Sequence, residues 1–165
     1  MSIPGVSIQS LQTNYPRTEK PPLDVIADAY GAGHWLLKSK DPNTCAIRLS
    51  RAFNYGGAAI KAKAGVVMEK GPDGNRYIYR AAEFVEYLRA EYGKPDVTQA
   101  GKTAADLTAA ISGKPGVLFF RLTKENGKGK AVHLSGYGHA DVWDGAAIWY
   151  NDVLWKTWEV TLWRV

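Results

Sequence analysis

The C-terminal third of the chain constrains the fold most, because its composition differs from that of the residues before it. Five of the six tryptophans lie after residue 142, among β-branched residues and short turns. This enrichment is typical of β-strands. It predicts four of them, at residues 116–122, 136–143, 148–155 and 158–165. The short turns favour an antiparallel meander.

Helical patterns dominate the earlier part of the chain. Apolar residues recur at helical spacing in segments 23–30, 45–54, 81–92 and 103–111, and glycines follow the first three segments. Helices first and strands last predict an α+β fold, with N-terminal helices packed on a C-terminal antiparallel sheet. No linker divides the chain, so we expect one domain over residues 1–165.

Two segments of the chain give weaker signals. Residues 1–22 are rich in Pro, Ser and Thr, and we interpret them as an extended N-terminal arm. Residues 56–80 contain the run Gly71-Pro72-Asp73-Gly74-Asn75, a strong turn signal with apolar residues on both sides. That region is either a plain hairpin or a lid over a cleft.

Composition excludes several classes of function. The chain carries a net charge of +5, but its basic residues are scattered and no helix combines them with base-stacking aromatics, so we expect no nucleic-acid partner. No apolar run reaches about 18 residues, and no signal peptide begins the chain, so we expect no membrane association and synthesis in the cytoplasm.

Motifs for metals and cofactors are also missing from the sequence. The three histidines show no ligand spacing, and no phosphate-binding or dinucleotide-binding glycine motif occurs. We therefore expect no metal and no cofactor. The chain has a single cysteine, which rules out an internal disulfide.

That cysteine, Cys45, lies at the predicted start of the second helix. Asp41 or Asn43 can act as its N-cap, and Pro42 suits the first helical position. A thiol there meets free backbone N–H groups and the positive end of the helix dipole, which both favour the thiolate. Cys45 is thus a candidate nucleophile, and the alternative is a small buried core residue.

A thiolate nucleophile needs a histidine base, and His139 on the second predicted strand is the candidate. Asp144-Gly145 is a hairpin signal. A two-residue loop, Asp144-Gly145 or Gly145-Ala146, places Asp152 on the same face of the sheet as His139. A three-residue loop would place Asn151 there instead. We predict Asp152 as the third catalytic residue, with Asn151 as the alternative.

Several neighbours of these residues are candidate substrate contacts. Asn43 and Thr44 precede the nucleophile directly. Asp141 shares the strand face of His139 in any register, so it is a candidate substrate contact or a competing partner for the imidazole. Arg48 and Arg51 lie one turn apart and could meet substrate carboxylates, although solvated charge on a helix face explains them more simply.

Two segments resemble the signature segments of the family four type VI secretion amidase effectors. The first is NTCAIRLSRA at residues 43–52, and the second is GHADVWDG at residues 138–145. They occur in the family's order and approximate separation. The resemblance implies the papain-like fold of NlpC-type cell-wall amidases, in which a helix carries the nucleophile and an antiparallel sheet carries the base.

The resemblance also implies a function. Members of this family cleave peptidoglycan stem peptides between D-glutamate, through its γ-carboxyl, and meso-diaminopimelate. They are antibacterial toxins that type VI secretion delivers into the periplasm of rival bacteria, and a cognate immunity protein protects the producing cell. The family's triad transfers to Cys45, His139 and Asp152, and the absence of a signal peptide fits export by a contractile machine.

Other functions fit the same residues. One alternative is a different cell-wall cysteine peptidase, housekeeping or phage-derived, because the choice of bond depends on the shape of the cleft. A non-catalytic domain that binds cell wall or protein through its aromatic sheet is another. A thiol transferase would share the triad but require an amine acceptor in place of water.

Overall fold

The computed structural model describes residues 2–101, 103–125, 131–133 and 136–165. Five α-helices occur in the described part of the chain: α1 Ile8–Asn14, α2 Pro22–Tyr30, α3 Cys45–Gly56, α4 Ala81–Tyr92 and α5 Ala104–Ile111. The strands in that part are β1 Glu69–Lys70, β2 Arg76–Tyr77, β3 Val97–Ala100, β4 Gly116–Glu125, β5 Ala131–His133, β6 His139–Trp143 and β7 Thr157–Arg164. Each described helix is too short or too polar to cross a bilayer.

The main sheet is antiparallel and is built around the long strand β4. On one side β4 pairs with β7, which in turn pairs with β3. On the other side the first half of β4 pairs with β6, placing Phe120 opposite His139, and its second half pairs with β5. Helices therefore precede the sheet strands in most of the chain, and the predicted α+β fold is confirmed.

The sheet has a core on each face. Ala140 and Val142 of β6 join the larger cluster, which includes Leu49 and Phe53 of α3. Trp143 and Phe120 join the second cluster, under α5. Because side chains alternate along a strand, His139 and Asp141 share the face of Trp143. Burial of both faces explains why all of β6 is apolar or internally hydrogen-bonded.

The helix α3 begins and ends where the sequence indicates. Its stripe of Ala46, Leu49, Ala52 and Phe53 is completely buried. Gly57 ends the helix in the left-handed conformation, with φ of 109°, which glycine adopts without steric cost. Burial of this stripe fixes the helix on the sheet, and the nucleophile's position at the helix start follows from it.

The N-terminal residues differ from the predicted extended arm, because α1 forms within them. Ser7 caps α1, with reciprocal hydrogen bonds between the Ser7 and Ser10 side chains and backbones. Leu11 and Tyr15 are buried against the large core. The Ser-rich composition that suggested an arm therefore encodes a capping box instead.

The predicted strand at residues 148–155 does not form. Asp144 N donates to Ala147 O, and Trp143 bridges Ile148, which matches the predicted Gly145-Ala146 loop. Beyond Ile148 the pairing with β6 soon ends, and a short 3₁₀ helix follows at Leu154–Lys156. The cause is the side chain of Asp141, which accepts the backbone N–H groups of Tyr150 and Asn151.

Residues 56–80 contain a plain hairpin formed by β1 and β2. The Asp73 carboxylate accepts hydrogen bonds from the Tyr55 and Tyr77 hydroxyls and from Asn75. Asn54 on α3 donates to the Arg76 carbonyl, which ties the hairpin to that helix. No residue of the hairpin lines the cleft beside Cys45 and His139 in the described structure.

Candidate active site

Cys45 is the first residue of α3, and 3% of its surface is exposed. Its backbone N–H donates to Asn43 Oδ1 at 3.1 Å. The Asn43 amide Nδ2 donates in the other direction, to the Gly138 carbonyl at 2.8 Å. One side chain thus joins the start of the nucleophile's helix to the residue immediately before His139. Thr44 is the N-cap residue and makes no side-chain cap hydrogen bond, so the predicted caps Asp41 and Asn43, like Pro42, precede the cap position.

His139 begins β6, and its ring lies beside Cys45 in the same cleft. The imidazole stacks on Phe120, with ring centroids 5.5 Å apart. His139 Nε2 is 3.0 Å from Asp141 Oδ2. Because Nε2 is engaged there, Nδ1 is the ring nitrogen left to exchange a proton with the Cys45 sulfur.

The Asp141 carboxylate is completely buried and fully hydrogen-bonded. Oδ1 accepts from the N–H groups of Val142 at 2.8 Å and Tyr150 at 3.1 Å. Oδ2 accepts from the N–H group of Asn151 at 2.8 Å as well as facing the imidazole. These donors satisfy the hydrogen-bonding capacity of the buried carboxylate and fix its orientation.

These hydrogen bonds also explain the missing strand. The N–H groups of Tyr150 and Asn151 would be free to join a ladder beside β6, but the Asp141 side chain takes both. An aspartate side chain competes with regular secondary structure in this way. The segment that the sequence predicts as a strand therefore serves as a donor loop for the carboxylate.

The surroundings of His139 favour its protonated form. Burial by itself lowers the pKa of the imidazole. The hydrogen bond to Asp141 and the interaction with Cys45 outweigh burial, and together they raise the pKa from 6.5 to about 9. At neutral pH the imidazolium is thus the favoured state of this ring. The arrangement can supply a nucleophile, an acid–base group and an orienting carboxylate, as acyl transfer requires.

The pair opens into a cleft of about 350 Å³. Thr44, Asn151 and Lys156 contribute to its walls, with Asp41 at the same opening. Asn43 and Thr44 line the cleft, and their role as substrate contacts stays a prediction. Among the described residues, no group of three or more His, Cys, Asp or Glu side chains is arranged to hold a metal ion.

The structure places the predicted third residue, Asp152, in another role. Asp152 Oδ1 accepts from Leu154 N at 2.9 Å and so starts the short 3₁₀ helix. It is exposed and does not line the cleft. Asn151 lines the cleft, and its backbone N–H contacts the carboxylate of Asp141. The residue that the structure brings to His139 is Asp141, which the sequence offered as a substrate contact or as a competing partner; it is completely buried beside the imidazole.

Arg48 is not the solvated helix-face charge that the sequence suggests. It is completely buried, its Nε donates to Thr44 Oγ1 at 3.0 Å, and its guanidinium stacks on the ring of Tyr150. Its remaining donors reach backbone carbonyls of the N-terminal segment. Periodicity gave no signal for this burial, because it depends on contacts with residues far along the chain. His34 lies outside the cleft, where it contacts Glu69 and stacks on Tyr30.

Comparisons with known proteins give a matching family profile and several solved structures of the same fold. The family profile described as "Type VI secretion system (T6SS), amidase effector protein 4" matches residues 42–163. Its matched region contains Cys45, His139 and Asp141. No curated protein matches the chain at a significant level of sequence similarity.

Solved structures share the fold. The effector Tae4 from Salmonella typhimurium, in complex with the immunity Tai4 from Enterobacter cloacae, superposes with a TM-score of 0.74 at 21% identity and covers 97% of this chain and 99% of its own. The type VI effector Tae4 from Enterobacter cloacae gives a TM-score of 0.63 at 19% identity, covering 100% of this chain and 99% of its own.

Proposed function

The chain belongs to the type VI secretion amidase effector family four, and from that premise we propose that it cleaves peptidoglycan stem peptides as a cysteine amidase. Membership confirms the family that the two sequence segments predicted. The bond we assign is that between the γ-carboxyl of D-glutamate and meso-diaminopimelate. The observation that carries this proposal is the position of Cys45 and His139 at one cleft, with the buried Asp141 carboxylate against the imidazole.

The reaction begins with His139 holding the proton that the Cys45 thiol has given up. The protonated ring is stabilised by the Asp141 carboxylate, which also fixes the tautomer and the orientation of the imidazole. The Cys45 sulfur then attacks the γ-glutamyl carbonyl carbon. A carbon–sulfur bond forms, and the carbonyl oxygen becomes an oxyanion.

The start of α3 supplies donors for that oxyanion. The Cys45 N–H is the donor nearest to the sulfur, and in the free protein it donates to Asn43 Oδ1. We infer that the oxyanion takes the place of Asn43 Oδ1 as acceptor. The positive end of the helix dipole adds to this stabilisation, because the negative charge develops at the first turn of the helix.

Collapse of the intermediate breaks the carbon–nitrogen bond. His139 gives its proton to the departing amine of diaminopimelate, and the glutamyl group stays on Cys45 as a thioester. Water then attacks the thioester, His139 accepts the proton of that water, and the thiolate leaves. Each step uses the same nitrogen of His139, since Asp141 holds the other.

We propose that the producing cell carries an immunity protein that covers this cleft. The solved relatives include complexes of Tae4 with the immunity Tai4. Delivery into the periplasm of rival bacteria follows from the same proposal, because the substrate lies there. The exposed Trp155, with 76% of its surface accessible, follows cleft residue Val153 closely in the chain and offers a contact for such a partner.

Mass spectrometry of purified peptidoglycan, digested with wild type and with Cys45→Ala, tests the proposal. Wild type is expected to release fragments split between glutamate and diaminopimelate, and Cys45→Ala none. Fragments split at another bond would identify a different cell-wall peptidase. If neither protein releases fragments while both bind the cell wall, the chain is a binding domain and the catalytic proposal is wrong.

Alkylation of the folded protein with iodoacetamide gives an independent measurement. A catalytic Cys45 reacts faster than a model thiol near neutral pH, because His139 lies beside it and can take the thiol proton. A cysteine that only fills the core reacts after unfolding. His139→Ala is the matched variant, since it removes the base while leaving Cys45 at the start of α3.

A further inference from the structure

Arg48 is a completely buried cation whose guanidinium donates to backbone carbonyls. Its Nη1 donates to the carbonyls of Pro16 and Arg17, both at 2.7 Å, and its Nη2 donates to the Lys20 carbonyl at 2.9 Å. A buried guanidinium is costly unless its donors are satisfied. Here backbone oxygens of the N-terminal segment satisfy them, so Arg48 fixes that segment to α3.

The same side chain contacts the catalytic loop. The Arg48 guanidinium carbon lies 4.7 Å from the centroid of the Tyr150 ring. The neighbouring residue makes the same kind of contact: the Arg17 guanidinium carbon lies 4.5 Å from the centroid of the Trp149 ring. Two consecutive aromatic residues of the loop therefore rest on two arginines, one from α3 and one from the N-terminal segment.

That loop is the part of the chain that holds the catalytic carboxylate. The backbone N–H of Tyr150 donates to Asp141 Oδ1, and the next N–H, from Asn151, donates to Asp141 Oδ2. Asp141 in turn contacts His139. A continuous path of contacts thus leads from Arg48 through Tyr150 and Asp141 to the imidazole.

We propose that Arg48 is a positioning residue for the acid–base pair: by holding Tyr150 it fixes the loop whose N–H groups orient Asp141 behind His139. The inference rests on the proposed function, because it gives Arg48 a role in that same site. Arg48 also lies one turn after Thr44 on the helix that carries Cys45, and its Nε contacts the Thr44 hydroxyl. One side chain thus contacts both the helix that carries Cys45 and the loop that orients the partner of His139.

A positioning role and a simple charge effect have opposite consequences for His139. The positive charge of Arg48, acting at a distance, disfavours the imidazolium, so its removal would raise the pKa of His139. If Asp141 is no longer held in place, the imidazolium loses a contact that favours it, and the pKa of His139 would fall. The sign of the change therefore distinguishes the two mechanisms.

Other charged or titratable groups near His139 stay the same in this comparison. They come from the elements around the cleft and are Cys45 on α3, Asp41 before it, Tyr15 after α1, Tyr150 in the loop and Lys156 at the opening. Because all of them are present in wild type and variant alike, a change in the pKa of His139 reports on Arg48 and on what it holds.

The test is an NMR titration of His139 in the full chain with Arg48→Met and, as a matched control, Arg51→Met. Arg51 lies on the same helix and also stacks on a tyrosine, Tyr55, at 4.7 Å, but neither residue lines the cleft. Arg48→Met is expected to lower the pKa of His139 by about one unit or more. Arg51→Met is expected to leave it unchanged.

Peptidoglycan cleavage provides the second readout. Arg48→Met is expected to reduce kcat by roughly 10²-fold with little change in KM, because misplacement of the base affects the reaction and not substrate binding. Arg48→Lys keeps the charge but not the forked donors, so we expect partial recovery only. An unchanged or raised pKa of His139, or full recovery of kcat by lysine, would overturn the proposal.

A further variant serves if Arg48→Met fails to fold. Tyr150→Leu removes the stacking partner while Arg48 keeps its carbonyl and hydroxyl contacts, and it is expected to lower the pKa of His139 as well. A pKa equal to that of wild type in this variant contradicts the proposed path. Since the titration observes His139 directly, it decides the role of Arg48 even in a protein that does not cleave peptidoglycan.

Discussion

His139 Nε2 and Asp141 Oδ2 are 3.0 Å apart, although the two residues lie on the same strand with only one residue between them. Alternation along a strand puts both side chains on one face, so the orienting carboxylate needs no second strand. The nucleophile's base and its orienting group are thus a local feature of β6. What the rest of the chain provides is the donor loop that holds the carboxylate.

Asp141→Asn is predicted to lower kcat by about 10²–10⁴-fold, because an amide cannot stabilise the imidazolium or select its tautomer as a carboxylate does. Asp152→Asn is the matched control, and only a small effect is expected, since Asp152 contacts Leu154 N outside the cleft. Steady-state rates of stem-peptide cleavage measure both. A greater loss in Asp152→Asn would return the third catalytic role to Asp152.

The pH dependence of cleavage follows from the pKa of His139, about 9. The imidazolium that protonates the leaving amine is present below this pH and is lost as pH rises through it, so kcat/KM is predicted to fall at about pH 9. In Asp141→Asn the fall should occur at lower pH, because the contact that raises the pKa is gone. An identical basic limb in both proteins would contradict the assignment.

Asn43→Ala is predicted to affect both stability and catalysis. It removes a hydrogen bond at the start of α3 and the link to the Gly138 carbonyl, so the free energy of unfolding should fall by about 1 kcal/mol. We expect kcat to fall by roughly 10-fold or more, because Cys45 and His139 lose their shared tether.

Asn14→Ala provides the control for that substitution. Asn14 also donates its amide to a backbone carbonyl, that of Ser10 at 2.8 Å, but it lies on α1 away from the cleft. Urea unfolding and cleavage rates, measured side by side, should show similar losses of stability and a loss of kcat in Asn43→Ala alone. Equal kcat values in the two variants would show that the tether has no catalytic role.

Asp73→Asn is predicted to destabilise the protein without slowing cleavage. Desolvation by itself raises the pKa of Asp73. Hydrogen bonds from Tyr77, Asn75 and Tyr55 outweigh it, and the pKa falls to about 2. Replacement should reduce the free energy of unfolding by about 0.5–1 kcal/mol, because Asp73 is exposed and water screens its contacts. The benefit of the carboxylate is present above its ordinary pKa of 3.8 and is lost as pH falls through about 2.

Urea unfolding across this acid range checks the prediction for Asp73, and cleavage at neutral pH supplies the contrast. The stability difference between wild type and Asp73→Asn should shrink as the solution becomes more acidic. Cleavage should be unchanged because the hairpin lies outside the cleft. A marked loss of kcat would indicate that residues 56–80 act on the substrate after all.

Local signals account for what was predictable in this chain. The segment 81–92 was expected to be a helix, and α4 spans Ala81–Tyr92 with Gly93 after it. The segment 103–111 predicts the next helix, and α5 spans Ala104–Ile111 with the side chains of Thr103 and Asp106 at its cap. Caps and periodicity depend on residues within a few positions of each other, so they can be read without the fold.

The donor loop was not predictable in the same way. Residues 148–155 have the composition of a strand, yet Asp141 takes the N–H groups of Tyr150 and Asn151 and ends the ladder. The prediction of Asp152 as the third catalytic residue requires the strand paired with β6 to continue as far as residue 152. The correct loop was among the alternatives, but sequence alone does not reveal that a side chain will displace the backbone partner.

The sequence by itself determined the α+β order, the helix that begins at Cys45 and the strand that carries His139 and Asp141, because each depends on neighbouring residues. Only the tertiary structure decided which carboxylate reaches the imidazole and whether Arg48 is buried. Both depend on distant segments, the returning loop for Asp141 and the residues at 16–20 for Arg48. Long-range contacts of this kind arise when the chain packs, and no local pattern encodes them.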